Sequence, residues 1–140
     1  MKKLLLTCLL VFTGFATFAQ EKQAEISFEN TKLDFGTFRE GDQVSHDFTF
    51  VNTGNAPLIL TAVNPTCGCT IPTWPKEPIM PGGTAKITAL YNSIGRGTGT
   101  FTKTITVISN AKTGTLMLTI TGTVLAKDAP PTPEKTAPVK

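Results

Sequence analysis

TLMLTITGTV, residues 115–124, alternates between apolar and polar side chains at almost every position. Leu116, Leu118 and Ile120 share one parity, and threonines occupy most of the other. Successive side chains of a β-strand point to opposite faces of a sheet, so this period of two predicts a strand with one buried face. Threonine and β-branched residues favour such a half-buried pleated surface.

The same alternation recurs along the chain, whereas helical periodicity is absent from the region between Glu25 and Leu125. The residues predicted to share an apolar face are Val44, His46, Phe48 and Phe50; Leu58, Leu60 and Ala62; Ile87, Ala89 and Tyr91; and Phe101, Ile105 and Val107. Clusters of Gly, Pro, Asn and Asp separate the runs and predict turns. About seven short strands in roughly 100 residues predict an all-β fold, an antiparallel sandwich with Phe48, Phe50, Leu118 and Ile120 in its core.

Composition divides the chain into three zones. Residues 1–19 have the form of a signal peptide, with Lys2 and Lys3 before a short apolar stretch, and we expect cleavage before Gln20. The domain is expected over residues 20–125. Residues 126–140 hold four prolines and few apolar side chains, which predicts a disordered tail.

The leader indicates an exported protein, periplasmic or secreted, in an oxidising compartment. Its apolar stretch is shorter than the roughly 20 residues that span a bilayer, so no transmembrane segment is expected. A lipid anchor on Cys8 is the alternative, although almost no hydrophobic region precedes that residue. Loss of Lys2 and Lys3 reduces the 13 basic residues to 11 against 10 acidic ones, a balance that does not favour nucleic acid or an anionic membrane as a partner.

Several short motifs follow one another in a fixed order along the domain. They are Leu33–Gly36, Glu40–Gly41, His46–Gly54, Pro57–Leu58, Thr66–Thr70, Ile79–Gly83, Gly95–Gly97, Phe101, Ser109–Asn110 and Gly122. In this order they resemble the bacterial domain-of-unknown-function 1573 (DUF1573) family, an immunoglobulin-like module of exported proteins. The resemblance implies an immunoglobulin-like sandwich, related to β-domains that mediate protein contacts. It implies no activity, because none is assigned to the family.

Cys67 and Cys69, separated by Gly68, are the only cysteines left once the leader is removed. Glycine lacks the Cβ that resists a tight turn, and the two Cα atoms can approach the roughly 5.5–6 Å that a disulfide prefers. The ring closed by this bond is small, so it contributes at most about 1–2 kcal/mol to stability. The sequence leaves three interpretations of this pair: a local disulfide, two half-buried thiols, or thiol exchange with a partner.

Metal binding is a further alternative for these two residues. Two thiolates are too few for a closed zinc site, but they suit Cu(I), with Met80 or His46 as a third ligand. His46 is the only histidine, and its parity predicts a core position rather than a ligand. A Cys–His nucleophilic dyad would require His46 within hydrogen-bond reach of one of the cysteines.

The segment after the cysteines is the candidate interaction surface. Trp74 stands among Pro72, Pro75 and Pro78, which favours an exposed or edge position. It either covers the core or anchors an interface, where tryptophan is enriched. The residues proposed for this surface are Thr66, Gly68, Thr70 and Trp74.

The run Gly95-Arg96-Gly97 lacks the spacing of a phosphate-binding loop, so a turn into the next strand is expected there. The sequence assigns no catalytic, cofactor-binding or metal-binding residue. We therefore expect a non-enzymatic interaction or structural module with an unidentified protein partner in the cell envelope. The alternative is a thiol-dependent redox or Cu(I)-binding protein that uses Cys67 and Cys69.

Overall fold

Two four-stranded β-sheets form the sandwich in the computed structural model, which describes residues 20–130. The strands are β1 (Ile26–Phe28), β2 (Lys32–Arg39), β3 (Gln43–Asn52), β4 (Leu60–Pro65), β5 (Thr70–Thr73), β6 (Thr84–Asn92), β7 (Gly99–Ser109) and β8 (Thr115–Leu125). No α-helix occurs in this range. The described residues accordingly contain no helix long and apolar enough to cross a membrane.

The strand order identifies the sandwich as immunoglobulin-like. The first sheet runs β1-β3-β6-β5 and the second β2-β8-β7-β4. These orders match the ABED and CFG sheets of an immunoglobulin constant-type domain, with β2 added beside β8. The predicted all-β, immunoglobulin-like sandwich is confirmed, with eight strands instead of about seven. Neighbouring strands are antiparallel except β2 and β8, because the chain keeps its direction when it passes from β1 into the other sheet.

The core has the composition that the alternation predicts. Phe48, Phe50, Leu118 and Ile120 are buried, each at most 1% exposed. Ala62 departs from the prediction, because the pairing of β4 with β7 shifts register between Leu60 and Ala62. The shift turns Val63 into the core and leaves Ala62 half-buried, as a β-bulge does.

His46 also departs from its predicted core position. It is only half-buried, and its ring packs edge-on against the ring of Phe48, with the ring centroids 5.0 Å apart. The cause is that β1 pairs with only the Phe50–Asn52 end of β3, so the first half of β3 lies on the margin of its sheet.

Two fully buried polar side chains fix the loops at the two ends of the sandwich. Asn52 donates hydrogen bonds from Nδ2 to the carbonyl oxygens of Ala56 (2.7 Å) and Ile79 (2.9 Å), and its Oδ1 accepts the N–H of Gly54 (3.0 Å). At the other end, the Ser93 hydroxyl donates to the carbonyl of Asp42 at 2.7 Å.

The chain termini are described in part. The predicted signal peptide, residues 1–19, and residues 131–140 of the predicted tail lie outside the described range. Within residues 126–130 most side chains are exposed, and the Arg39 guanidinium donates a hydrogen bond to the carbonyl of Ala129 at 2.9 Å.

Substitution of neighbouring residues on β8 tests the register. Leu118→Ala removes a fully buried side chain and is expected to lower the free energy of unfolding by about 2–5 kcal/mol. Thr119→Ala changes the outward parity of the same strand and is expected to cost less than about 1 kcal/mol. Chemical denaturation of both variants measures the difference. Equal losses would contradict the register.

Deletion of residues 126–140 tests the tail. The deleted segment makes little contact with the domain where it is described, so the melting temperature is expected to stay within error of the intact mature chain. Thermal unfolding followed by circular dichroism measures this. A fall of several degrees would show that the tail docks on the sandwich.

Candidate functional site

The cysteine loop, residues 66–69, carries the chain from one sheet to the other. It connects the end of β4 at Pro65 to the start of β5 at Thr70, and both strands are the last in their sheets. Backbone hydrogen bonds anchor the loop, and the first runs from the N–H of Thr66 to the carbonyl of Thr104 at 3.0 Å. The N–H of Thr70 donates to the carbonyl of Cys67 at 3.3 Å, and the N–H of Asn92 donates to the carbonyl of Cys69 at 2.8 Å.

The side chains of Cys67 and Cys69 are joined as a disulfide, with their Cα atoms 5.3 Å apart. Cys69 is buried at 2% exposure, whereas Cys67 is half-buried. Open space surrounds the position of a Cβ at Gly68, and the backbone there is not left-handed. No residue other than the two flanking cysteines therefore excludes a side chain at this position.

Thr70 lies beneath the disulfide, and the prediction that it belongs to an exposed surface is wrong. Its side chain is 2% exposed because it points inward from β5. Its hydroxyl oxygen is 4.0 Å from Cys67 Sγ and 3.9 Å from Cys69 Sγ. One hydroxyl therefore contacts both sulfur atoms, and it can donate a hydrogen bond to a thiolate formed by reduction.

An aromatic pair lies next to Thr70 in the adjacent strand. Tyr91, which is opposite Thr70 in the register of β5 and β6, stacks on Phe101 with ring centroids 4.2 Å apart. Burial raises the pKa of the Tyr91 hydroxyl. Two stacked aromatic rings thus lie beside Thr70, at the start of β5.

Trp74 lies beyond the far end of β5 from the cysteine loop. The four residues of β5 separate them, about 13 Å along the strand. Trp74 is half-buried and packs against the core. The Lys76 ammonium lies 3.1 Å from the centroid of its ring, a cation–π contact that covers the outer side. This packing favours the interpretation of Trp74 as a cover of the core.

Two exposed isoleucines stand beside the cysteine loop, and the sequence analysis missed both. Ile71 on β5 is 52% exposed, and Ile94 is 60% exposed. Ile94 lies two residues after Asn92, whose N–H binds the carbonyl of Cys69. Thr66 and Gly68 are exposed as predicted. We call the exposed residues Thr66, Gly68, Ile71 and Ile94 the cysteine-loop surface.

The residues considered as a third ligand or as a base for the cysteines, His46 and Met80, do not lie beside them. His46 lies on β3, and β6 stands between β3 and β5. Met80 follows the bridge between Leu58 and Ile79 at the opposite end of the sandwich. Over residues 20–130, His, Cys, Asp and Glu nowhere form a group of three or more that could hold a metal ion. Gly95 and Gly97 adopt left-handed backbone conformations in the turn between β6 and β7.

Comparison with known proteins gives one family match. The sequence matches the family described as "Protein of unknown function (DUF1573)" over residues 26–124. No curated protein matches the chain in sequence.

Solved structures share its fold. A protein of unknown function from Porphyromonas gingivalis W83 has a TM-score of 0.67 and 18% identity, covering 79% of this chain and 51% of that one. Human CEP192 contains an ASH/PapD-like domain with a TM-score of 0.58 and 15% identity, covering 76% of this chain and 89% of that one. The periplasmic chaperone SfaE has a TM-score of 0.51 and 11% identity, covering 76% of this chain and 61% of that one. At such identities the likeness shows the fold alone, and this chain spans about half the length of the Porphyromonas protein.

Replacement of both cysteines by serine tests the contribution of the disulfide to stability. Because the bridge closes a ring between residues only two apart, the double variant is expected to lose about 1–2 kcal/mol of unfolding free energy. Chemical denaturation measures the loss. Mass spectrometry of the non-reduced mature protein is the direct check, since cysteines linked to different chains would exclude the local bridge.

Proposed function

The chain belongs to the DUF1573 family, and from that premise we propose that it is an exported, non-enzymatic interaction or structural module of the cell envelope, periplasmic or at the cell surface. The signal-peptide pattern of residues 1–19 supports export. The fold is shared with a periplasmic chaperone and with a PapD-like domain of human CEP192, which supports protein binding as the role of the sandwich.

The exposure of Ile71 and Ile94 carries this proposal. Two large apolar side chains project into solvent beside a loop that is held by a disulfide and by backbone hydrogen bonds. Exposed apolar groups on a rigid frame suit a protein interface, because little conformational entropy is lost on binding. The partner is therefore a protein of the envelope that presents an apolar patch.

Photo-crosslinking in the native envelope tests this function. A photoreactive amino acid at Ile71 is expected to give one discrete protein adduct, and Ile94→Lys in the same chain is expected to abolish it. The same photoreactive group at Ile59, an isoleucine 42% exposed at the other end of the sandwich, is the matched control. Equal adducts at both positions, or none at Ile71, would contradict the proposal.

The second candidate function, thiol exchange, is favoured by the contact of the Thr70 hydroxyl with both sulfur atoms. A thiolate of a dithiol partner would attack Cys67 Sγ and form a mixed disulfide, and the Cys69 thiolate would leave. The second partner thiol would then displace Cys67, so that the partner is oxidised by two electrons and this chain is reduced by two. The reduced pair would also supply two soft ligands for Cu(I).

Thiol titration separates the two candidates. Under mild reductant, thiol exchange predicts two titratable thiols and slower exchange with a dithiol in Thr70→Val than in wild type, with Thr70→Ser close to wild type because it keeps the hydroxyl. Cu(I) binding is expected to disappear in the double serine variant. An unreactive pair that binds no Cu(I) would show that the cysteines form a structural disulfide only.

A further inference from the structure

The first residue expected after the leader is a glutamine. Thr17 and Ala19 form the small-residue pattern that precedes a signal-peptidase cut, and cleavage there leaves Gln20 with a free α-amino group. Near neutral pH part of an α-amino group is uncharged, and the uncharged amine is a nucleophile. An amino-terminal glutamine therefore carries a nucleophile and an electrophilic side-chain amide on one residue.

Gln20 lies on a part of the chain that the domain leaves free. It is exposed and borders a polar cleft of about 280 Å³, so its side chain has room to fold back toward its own amine. Within the described residues the first hydrogen bonds to the domain are those of Gln23. Its N–H donates to Asn55 Oδ1 at 2.7 Å, and its Nε2 donates to the carbonyl of Asn110 at 3.2 Å. Ala24, which is 2% exposed, continues this anchor, and residues 20–22 lie ahead of it.

We propose that Gln20 of the mature chain is converted to pyroglutamate, a modification that rests on the proposed export because it requires removal of the leader. The α-nitrogen attacks Cδ of the side-chain amide and forms a new N–Cδ bond. The Cδ–Nε2 bond breaks, and Nε2 leaves as ammonia with a proton from the α-amine. The product is a lactam, and no electron is exchanged.

The chemistry is specific to this position. The α-nitrogens of Gln23 and Gln43 belong to peptide bonds, whose resonance withdraws the lone pair that a nucleophile needs. Glu21, the next residue along the chain, has a carboxylate, and its negative charge repels a nucleophile. A cut one residue later would therefore leave the chain with its amine. Cyclisation depends on cleavage directly before Gln20.

The lactam changes two properties of the chain end. It removes the positive charge of the terminal amine, and it leaves no free amine for an aminopeptidase to bind. Residues 20–22 would otherwise be open to stepwise removal, because they lie ahead of the anchor at Gln23. Removal of Gln23 as well would take away its hydrogen bonds to Asn55 and Asn110. The modification therefore protects the attachment of the amino-terminal segment.

Mass spectrometry of the chain exported with its own leader tests the modification. Gln20 is expected as the first residue, with an intact mass about 17 Da below that of the uncyclised chain. Gln20→Ser is the matched control, because serine has no amide to lose, and its mass is expected to be that of the unmodified variant. An unshifted wild-type mass that persists after prolonged incubation at neutral pH would contradict cyclisation.

Digestion tests the protective role. An aminopeptidase is expected to leave wild type intact and to remove residues 20–22 from Gln20→Ser. Pyroglutamyl peptidase, which removes only a cyclised terminal residue, is expected to make wild type as sensitive as the variant. Equal trimming of wild type and Gln20→Ser without this treatment would overturn the protection.

The outcomes separate this inference from the proposed function. A chain that begins at Gln20 and keeps its amine would overturn the modification and leave export intact. A chain cut at another residue would also overturn the modification and leave export intact. A chain that keeps its leader would overturn both.

Discussion

The buried side-chain amide of Asn52 is the constraint on which one end of the sandwich depends. It binds the backbone of the loop between β3 and β4, the carbonyl of Ile79 before β6, and the N–H of Glu25 before β1 (3.4 Å). A buried amide without such partners would cost several kcal/mol, so these segments are held in one arrangement. The close approach of the segments is visible at Gly54, where a Cβ would clash with the carbonyl oxygen of Gln23.

The sequence predicted the long strands because period-two alternation is a direct consequence of strand geometry. The alternation identified the core residues of β8 and of the second half of β3, where Phe48 and Phe50 are buried. It failed where a local backbone feature interrupts the period. In β2 the register shifts between Asp34 and Thr37, and Gly36 adopts a left-handed conformation with its N–H bound to the Asp34 carboxylate. Such a strand has no clean alternation to detect.

The sequence showed which residues carry the chemistry of the candidate site, but it did not show which of their neighbours are buried and which are exposed. The cysteines were evident from their rarity, yet the inward direction of Thr70 depends on where a four-residue strand begins. The exposure of Ile71 follows from the same parity. The strand was not predicted, because Pro72 beside Ile71 is unusual inside a strand. The pairing of threonine with threonine across β7 and β8 depends on register between strands, which single-strand alternation does not specify.

The parallel pairing of β2 with β8 has a mechanical consequence. The described chain enters at one end of the sandwich, where Ala24 bridges Ala111, and leaves at the other, after Leu125. Tension between the two ends would pull β2 and β8 in opposite directions along their own axes. The hydrogen bonds between them would then be loaded together in shear instead of opening one after another. A domain tethered at both ends in an envelope would therefore resist extension until several bonds broke at once.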